Sequence, residues 1–264
     1  MIRVEIQKQT FRLRTYIALG LMAGLPVLLT VIFKFGHRHD RDRDFFALAT
    51  HSGINVPLAA LTAASSFLLV IVVALFAGGA VAEEANWGSL RYLLIRPVSR
   101  SRVLSSKLVV AGMMAVLATS LIVLSGLIAG TIAFGWHPVV TPDGPTLSQG
   151  SAIAKLALST AYVAWCMSGI VALAFMISTA TDTSMGPVAG AVGLAIVSQI
   201  LDAITTLGSI RTLLITHYWH AWEGLFASPS TSSDMVKGVL LQLPYVAAFV
   251  AIAWWWFHRR DILT

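Results

Sequence analysis

Six long apolar stretches constrain this chain more than any other feature of its sequence. A helix needs roughly 20 mostly apolar residues to cross a hydrocarbon core about 30 Å thick, and each stretch meets that length. The stretches cover residues 16–35, 57–79, 103–134, 152–178, 185–207 and 236–257. None alternates apolar and polar residues as the strands of a membrane barrel do. The sequence therefore predicts an all-α integral membrane protein with six transmembrane helices in a single domain over residues 1–264.

The charge content excludes several other classes of protein. Charged residues make up 11% of the chain, whereas a soluble domain carries about 25%. Cys166 is the only cysteine, which excludes a disulfide scaffold. The net charge of +6 is carried on an apolar body, so we assign it to cytoplasmic loops and expect no nucleic-acid partner.

The distribution of lysine and arginine predicts the orientation. Eleven of the eighteen basic residues lie before the first span, between the second span and the first two turns of the third, and after the sixth. Short loops rich in lysine and arginine stay in the cytoplasm. Arg38, Arg41 and Arg43 in the opposite loop argue against this topology, but residues 135–150 on that side contain no lysine or arginine. We expect a multi-pass protein of the cell (inner or plasma) membrane with both termini in the cytoplasm.

Residues 1–15 have the pattern of an amphipathic helix. Ile2, Ile6, Leu13 and Ile17 recur on one side, and Glu5, Lys8 and Arg12 on another. Such a helix would lie flat on the inner membrane surface. The alternative is a basic tail that serves only to orient the chain.

Residues 83–107, which read EEANWGSLRYLLIRPVSRSRVLSSK, are the most informative part of the sequence. Glu83 and Glu84 suit the first turn of a helix because they complement its dipole, and Pro97 stops it. We predict a short cytoplasmic helix over residues 83–95. It is suited to docking in the groove of another protein, although simple packing on the inner leaflet is an equal alternative.

Residues 208–234 are too long and too aromatic for a bare connection. One predicted helical face carries Ile215, Tyr218, Trp219, Trp222 and Phe226. This pattern favours a re-entrant or interfacial helix dipping into the outer membrane surface. His217, His220 and Glu223 follow at spacings of three, which drift around a helix, so we interpret them as solvated polar groups and predict no metal site.

The sequence lacks the usual signatures of an enzyme. It contains no GxxxxGK[ST] loop, so it cannot hydrolyse ATP in the P-loop manner. No histidine lies in a predicted span, which argues against intramembrane proteolysis, and we predict no catalytic residue. Lys155 and Asp202 lie near the outer ends of their spans and are either an ion pair or two groups that reach separately to water.

The segment from Glu84 to Lys107 resembles the permease subunits of ABC-2-type exporters. That family has a glutamate, a Gly-Thr/Ser-Leu-Arg run, paired leucines, a Pro-Val-Ser-Arg turn and a lysine in this order. The matching residues are Glu84, Gly88, Ser89, Leu90, Arg91, Leu93, Leu94, Pro97, Val98, Ser99, Arg100 and Lys107. The six spans, the basic N-terminal helix and the aromatic segment before the last span are also similar to the family's spans, elbow helix and external helices.

The resemblance implies the partners and the docking residues. Two permeases, identical or paralogous, would form a dimer in membrane lipid, and each would dock an ATP-binding subunit that carries ATP and Mg. The chain itself would hold no cofactor. The docking segment would be a coupling helix over residues 83–95, with the loop at 179–184 as a second contact. Its contact residues would be Glu83, Glu84, Trp87, Gly88, Leu90, Arg91, Leu94, Arg96, Pro97 and Arg100.

The resemblance also implies export of an amphiphilic or lipophilic substrate, such as a drug, an antimicrobial peptide or a lipid. In the family the pathway is lined by the second and fifth spans. The polar and aromatic residues there are Ser65, Ser66, Phe67, Gln199 and Asp202. The alternative is a non-transporting structural or regulatory membrane subunit that recruits a cytoplasmic partner. An intramembrane enzyme is less favoured.

Overall fold

The computed structural model describes residues 2–35, 45–86, 99–141, 146–183 and 185–259. The α-helices are α1 (Ile2–Thr10), α2 (Leu13–Phe35), α3 (Phe45–Leu48), α4 (Asn55–Ser66), α5 (Leu68–Asn86), α6 (Arg100–Phe134), α7 (Gln149–Ala180), α8 (Gly186–Ala203) and α9 (Ser233–Arg259). Two 3-10 helices, Thr205–Leu213 and Ala221–Phe226, lie between α8 and α9. Strands β1 (Val139–Val140) and β2 (Thr146–Leu147) pair antiparallel between α6 and α7.

The helices confirm a multi-pass membrane protein. Within the described ranges, α2, α6, α7, α8 and α9 are each long and apolar enough to cross a bilayer. The number is six when the bent pair of α4 and α5 is taken as one span. These elements match the predicted spans with shifts of a few residues at their ends. The largest difference is in the second, where α5 continues to Asn86. In the fifth, α8 ends at Ala203 and a 3-10 helix follows.

The bundle is built around α5 and α7. In the most apolar window of α7, 67% of the residues are buried, against 17% in α9 and 22% in α2. The outer helices therefore expose apolar side chains such as Leu28 and Trp255, which suit contact with lipid.

The second span is broken, although the sequence predicts a continuous helix there. Helix α4 ends at Ser66, Phe67 leaves the helical conformation with φ of −145°, and α5 continues at an angle of 58°. Neither proline nor glycine stands at this point. The break is tolerated because a side chain from another helix, that of Gln199, donates to the freed carbonyl of Ser66 at 2.7 Å.

A pair of glycines four residues apart on α6 packs closely against the start of α4. A Cβ atom at Gly130 would overlap the carbonyl oxygen of Gly53, and one at Gly126 would lie 3.0 Å from the Cα of Pro57. Glycines four residues apart on α6 therefore allow its backbone to approach the start of α4.

The three basic segments meet at one end of the bundle, which we call the basic end. Lys8 of α1 lies 3.0 Å from Glu84 near the end of α5. Arg100 at the start of α6 donates to the carbonyl of His258 near the end of α9. The predicted grouping of the N-terminus, the 83–107 segment and the C-terminal helix agrees with these contacts.

Two expectations about helix positions are wrong in detail. The N-terminal helix ends at Thr10, so Leu13 and Ile17 belong to α2. Residues 208–232 form turns and short 3-10 helices, where the sequence predicts an amphipathic helix. Trp219 and Trp222 are almost fully buried in the bundle core, because this segment folds back onto the helices in turns and short 3-10 helices.

Candidate functional site

A cluster of charged side chains lies at the basic end, where α1, the end of α5 and the start of α6 meet. We call it the ion cluster. Its members are Glu5, Lys8, Arg12, Arg14, Glu83, Glu84 and Lys107.

The centre of the ion cluster is Lys107. Its Nζ atom lies 2.8 Å from Oε1 of Glu84 and 2.6 Å from Oε1 of Glu5. The Lys107 and Glu84 side chains are only 2% and 4% exposed. Lys8 reaches the same Glu84 oxygen from the more exposed side of α1. This buried pair therefore fixes the end of α5, the start of α6 and the amphipathic helix to one another.

The second carboxylate, Glu83, pairs with Arg12 and Arg14 at the start of the first span. A Cβ at Gly79 would lie 2.8 Å from Nη1 of Arg14, so the glycine makes room for the guanidinium to cross α5. Burial lowers the pKa of the Arg12 guanidinium, and the nearby carboxylates of Glu5 and Glu84 oppose that shift.

This geometry corrects one prediction about the docking segment. Glu83 and Glu84 lie in the last turn of α5 and do not open a new helix. A carboxylate is unfavourable at the C-terminal end of a helix, and the surrounding lysines and arginines offset that cost. Arg100 lies at the start of α6. The other predicted docking residues, Trp87, Gly88, Leu90, Arg91, Leu94, Arg96 and Pro97, lie outside the described residues.

The predicted second docking loop begins beside the same part of α5. The hydroxyl of Ser178 accepts hydrogen bonds from the backbone N–H groups of Val81 and Ala82, at 3.1 and 2.9 Å. The start of the 179–184 loop is thereby held within one turn of Glu84.

A second group of polar side chains surrounds the break between α4 and α5. We call it the break site, and its members are Thr62, Ser66, Gln199, His220 and Glu223. The carbonyl of Ser66 accepts a hydrogen bond from Gln199. The hydroxyl Oγ of Ser66 lies 3.1 Å from Nε2 of His220. Thr62 donates to Oε1 of Glu223 at 3.3 Å, and the same oxygen lies 3.3 Å from Nδ1 of His220.

The break site gathers some of the predicted pathway residues. Ser66 and Gln199 are in contact, and Phe67 beside them is 52% exposed. Ser65 is buried and bonds back to the carbonyl of Thr62. Asp202 lies apart from this group.

The suggested pairing of Lys155 with Asp202 is wrong. Lys155 donates to the carbonyl of Leu225 at 2.6 Å. Asp202 instead contacts Nδ1 of His217 at 2.5 Å and Nε of Arg211 at 3.4 Å. Similar depth in the membrane did not bring the two residues together, because the segment after α8 supplies partners to both.

Three polar residues that the sequence analysis interprets as freely solvated are partly enclosed by the fold. They are His217, His220 and Glu223. Each is half-buried and has a partner on a membrane helix. The spacing did indicate one contact correctly. His220 and Glu223 are three residues apart, so they face the same side of one helical turn.

Comparison with known proteins places the chain in a family. The pattern of the family described as "Protein of unknown function (DUF2705)" matches residues 26–263. The chain is a DUF2705 protein. This DUF2705 chain is also 25% identical over 208 residues to the "Uncharacterized protein YhcI" of Bacillus subtilis (strain 168). The match covers 71% of the chain and 63% of YhcI, so the chain spans less than two thirds of that relative.

Proposed function

We propose that this DUF2705 protein is the permease subunit of an ATP-driven ABC-2-type exporter. The observation that carries the proposal is the buried ion pair between Glu84 and Lys107. These two residues are the first and last of the ordered pattern that resembles the exporter family. The ion pair closes the base of residues 84–107, which contain the proposed docking helix, and joins them to α5, α6 and α1.

This closure suits mechanical coupling. A segment with both ends fixed to buried helices passes a push from a docked protein directly to those helices, because neither end can slide without breaking a buried ion pair. Helix α5 continues from there to the break site. Movement of the docking segment would therefore reach the polar groups of the break site.

The proposed complex has the composition that the resemblance implies. Two permeases, identical or paralogous, form a dimer in membrane lipid, and each docks one ATP-binding subunit that carries ATP and Mg. The basic end faces the cytoplasm, following the lysine and arginine distribution. Nucleotide-driven closure of the ATPase pair drives alternating access and exports an amphiphilic or lipophilic substrate.

Co-expression tests this proposal. The chain is tagged and expressed with the soluble Walker A protein encoded by the adjacent gene, and the complex is purified in mild detergent. We expect the ATPase to co-purify. Its absence would favour a non-transporting membrane subunit.

One contact favours a second candidate function, an intramembrane hydrolase. Ser66 Oγ, His220 and Glu223 follow the order of a nucleophile, a base and an acid. However, Nδ1 of His220 makes no hydrogen bond in the described structure, so Glu223 does not orient the imidazole as a triad requires. Labelling by a fluorophosphonate that disappears in Ser66→Ala would support the hydrolase, and we expect no labelling.

A further inference from the structure

Glu223 differs from most other carboxylates in the described parts of the chain because no lysine or arginine lies within 4 Å of it. Among the residues that the structure describes, its one ionisable partner within 4 Å is His220. By contrast, Glu5, Glu83, Glu84, Asp202 and Asp234 each contact a lysine or arginine. An ionisable side chain without an oppositely charged lysine or arginine beside a broken apolar helix is a candidate functional group in a membrane protein.

The surroundings of Glu223 add further electron-rich groups. Helix α4 ends and α5 begins at the break site, so the opposite partial charges of the two helix ends offset each other and the side chains and carbonyl there decide the local charge. The hydroxyls of Thr62 and Ser66 and the carbonyl of Ser66 can each accept a hydrogen bond. The break site thus combines one carboxylate with several neutral acceptors.

The carboxylate is also reachable. The side chain of Glu223 is 37% exposed and that of His220 is 41% exposed. Phe67, which marks the break in the span, presents an apolar surface beside these polar groups. A ligand with a positive head and an apolar body matches this arrangement.

We propose that the break site binds the ammonium group of an amphiphilic amine. Glu223 supplies the counter-charge, Thr62 and Ser66 accept hydrogen bonds from the ammonium, and the apolar body lies along Phe67. The three N–H donors of a primary ammonium suit this set of acceptors. As a cargo site, this assignment rests on the proposed exporter function and narrows its substrate class to cationic amphiphiles.

Calorimetry with n-decylammonium tests the binding. The full chain is placed in phosphatidylcholine nanodiscs, and the heat from empty nanodiscs is subtracted. n-Decanol and n-decyl sulfate have the same chain length without the positive charge. All three probes bury the same alkyl chain, so only the positive head group distinguishes decylammonium. We therefore expect saturable binding of decylammonium alone.

Variants of Glu223 separate the effect of its charge on binding from the effect of its packing. Glu223→Gln should weaken decylammonium binding about tenfold or more, the worth of one hydrogen bond to a charged group. Glu223→Asp keeps the charge and should bind within about threefold of the wild type. Asp234→Asn removes an exposed carboxylate that pairs with Lys237, and should leave binding unchanged.

Three results would overturn the site. They are the absence of saturable binding to the wild type, equal binding to Glu223→Gln, and an equal loss in Glu223→Asp and Glu223→Gln. The measurement needs no ATPase. Glu223-dependent binding without a co-purifying ATPase would keep the site and reject the exporter, whereas a stable ATPase complex without binding would do the reverse.

Discussion

Replacing Lys107 by methionine should destabilise the fold strongly. Its side chain is 2% exposed, and its ammonium group lies 2.8 Å from Glu84 and 2.6 Å from Glu5. Removing one partner of a buried ion pair costs about 3–5 kcal/mol, because the other charge stays buried without its partner. Glu84 keeps Lys8 at 3.0 Å, so we expect a loss near the lower limit, about 3 kcal/mol.

The assay is reversible unfolding by SDS in mixed micelles, followed by tryptophan fluorescence. Lys237→Met is the matched control, because Lys237 forms an exposed pair with Asp234 at 2.7 Å. Exposed pairs contribute little to stability, so this variant should unfold as the wild type does.

A double-mutant cycle then isolates the pair itself. Glu84→Met alone leaves Lys107 buried beside Glu5, while the double variant with Lys107→Met replaces the pair by apolar side chains. We expect the double variant to lose less than the sum of the single losses, by about 1–3 kcal/mol. Additive losses, or a Lys107→Met loss no larger than that of the control, would refute the buried ion pair.

Two further changes test the packing of the spans by the same unfolding assay. Gly130→Val should lower the free energy of unfolding by about 1–3 kcal/mol, because a Cβ there overlaps the carbonyl of Gly53. Gly20→Val, where the space is open, should have no effect. Equal losses in the two variants would contradict the close approach of the helices. Gln199→Leu should cost about 1–3 kcal/mol by removing the donor to the carbonyl of Ser66; an unchanged unfolding curve would show that this bond does not stabilise the break.

The spans could be predicted because length and hydropathy are properties of contiguous residues. The break at Phe67 could not, since neither proline nor glycine marks it and its stability comes from Gln199 on another helix. The partners in the ion cluster are also far apart in the sequence. Lys8 and Glu84, for example, are separated by 76 positions. Charge patterns show that such residues exist but not which of them meet.

The aromatic segment before the last span also shows that a sequence pattern does not predict which residues pack together. The residues at 215–226 were interpreted as facing a membrane interface because tryptophan and tyrosine are common there. In the fold, Trp222 is fully buried, and the polar residues beside it reach Ser66 and Thr62. A helical projection describes one segment, whereas this site forms only when the segment packs against two membrane helices.

We propose that the helix at 83–95 docks an ATPase, and the most direct test is the amount of ATPase retained per chain after purification. The wild type should retain about one ATP-binding subunit per chain. Arg91→Glu places a negative charge in the docking segment and should retain less than about a tenth of that, the loss expected when an interface charge is reversed. Arg38→Glu, in the loop predicted on the opposite side, should bind as the wild type does. A wild type without ATPase, or equal retention by Arg91→Glu, would contradict the account.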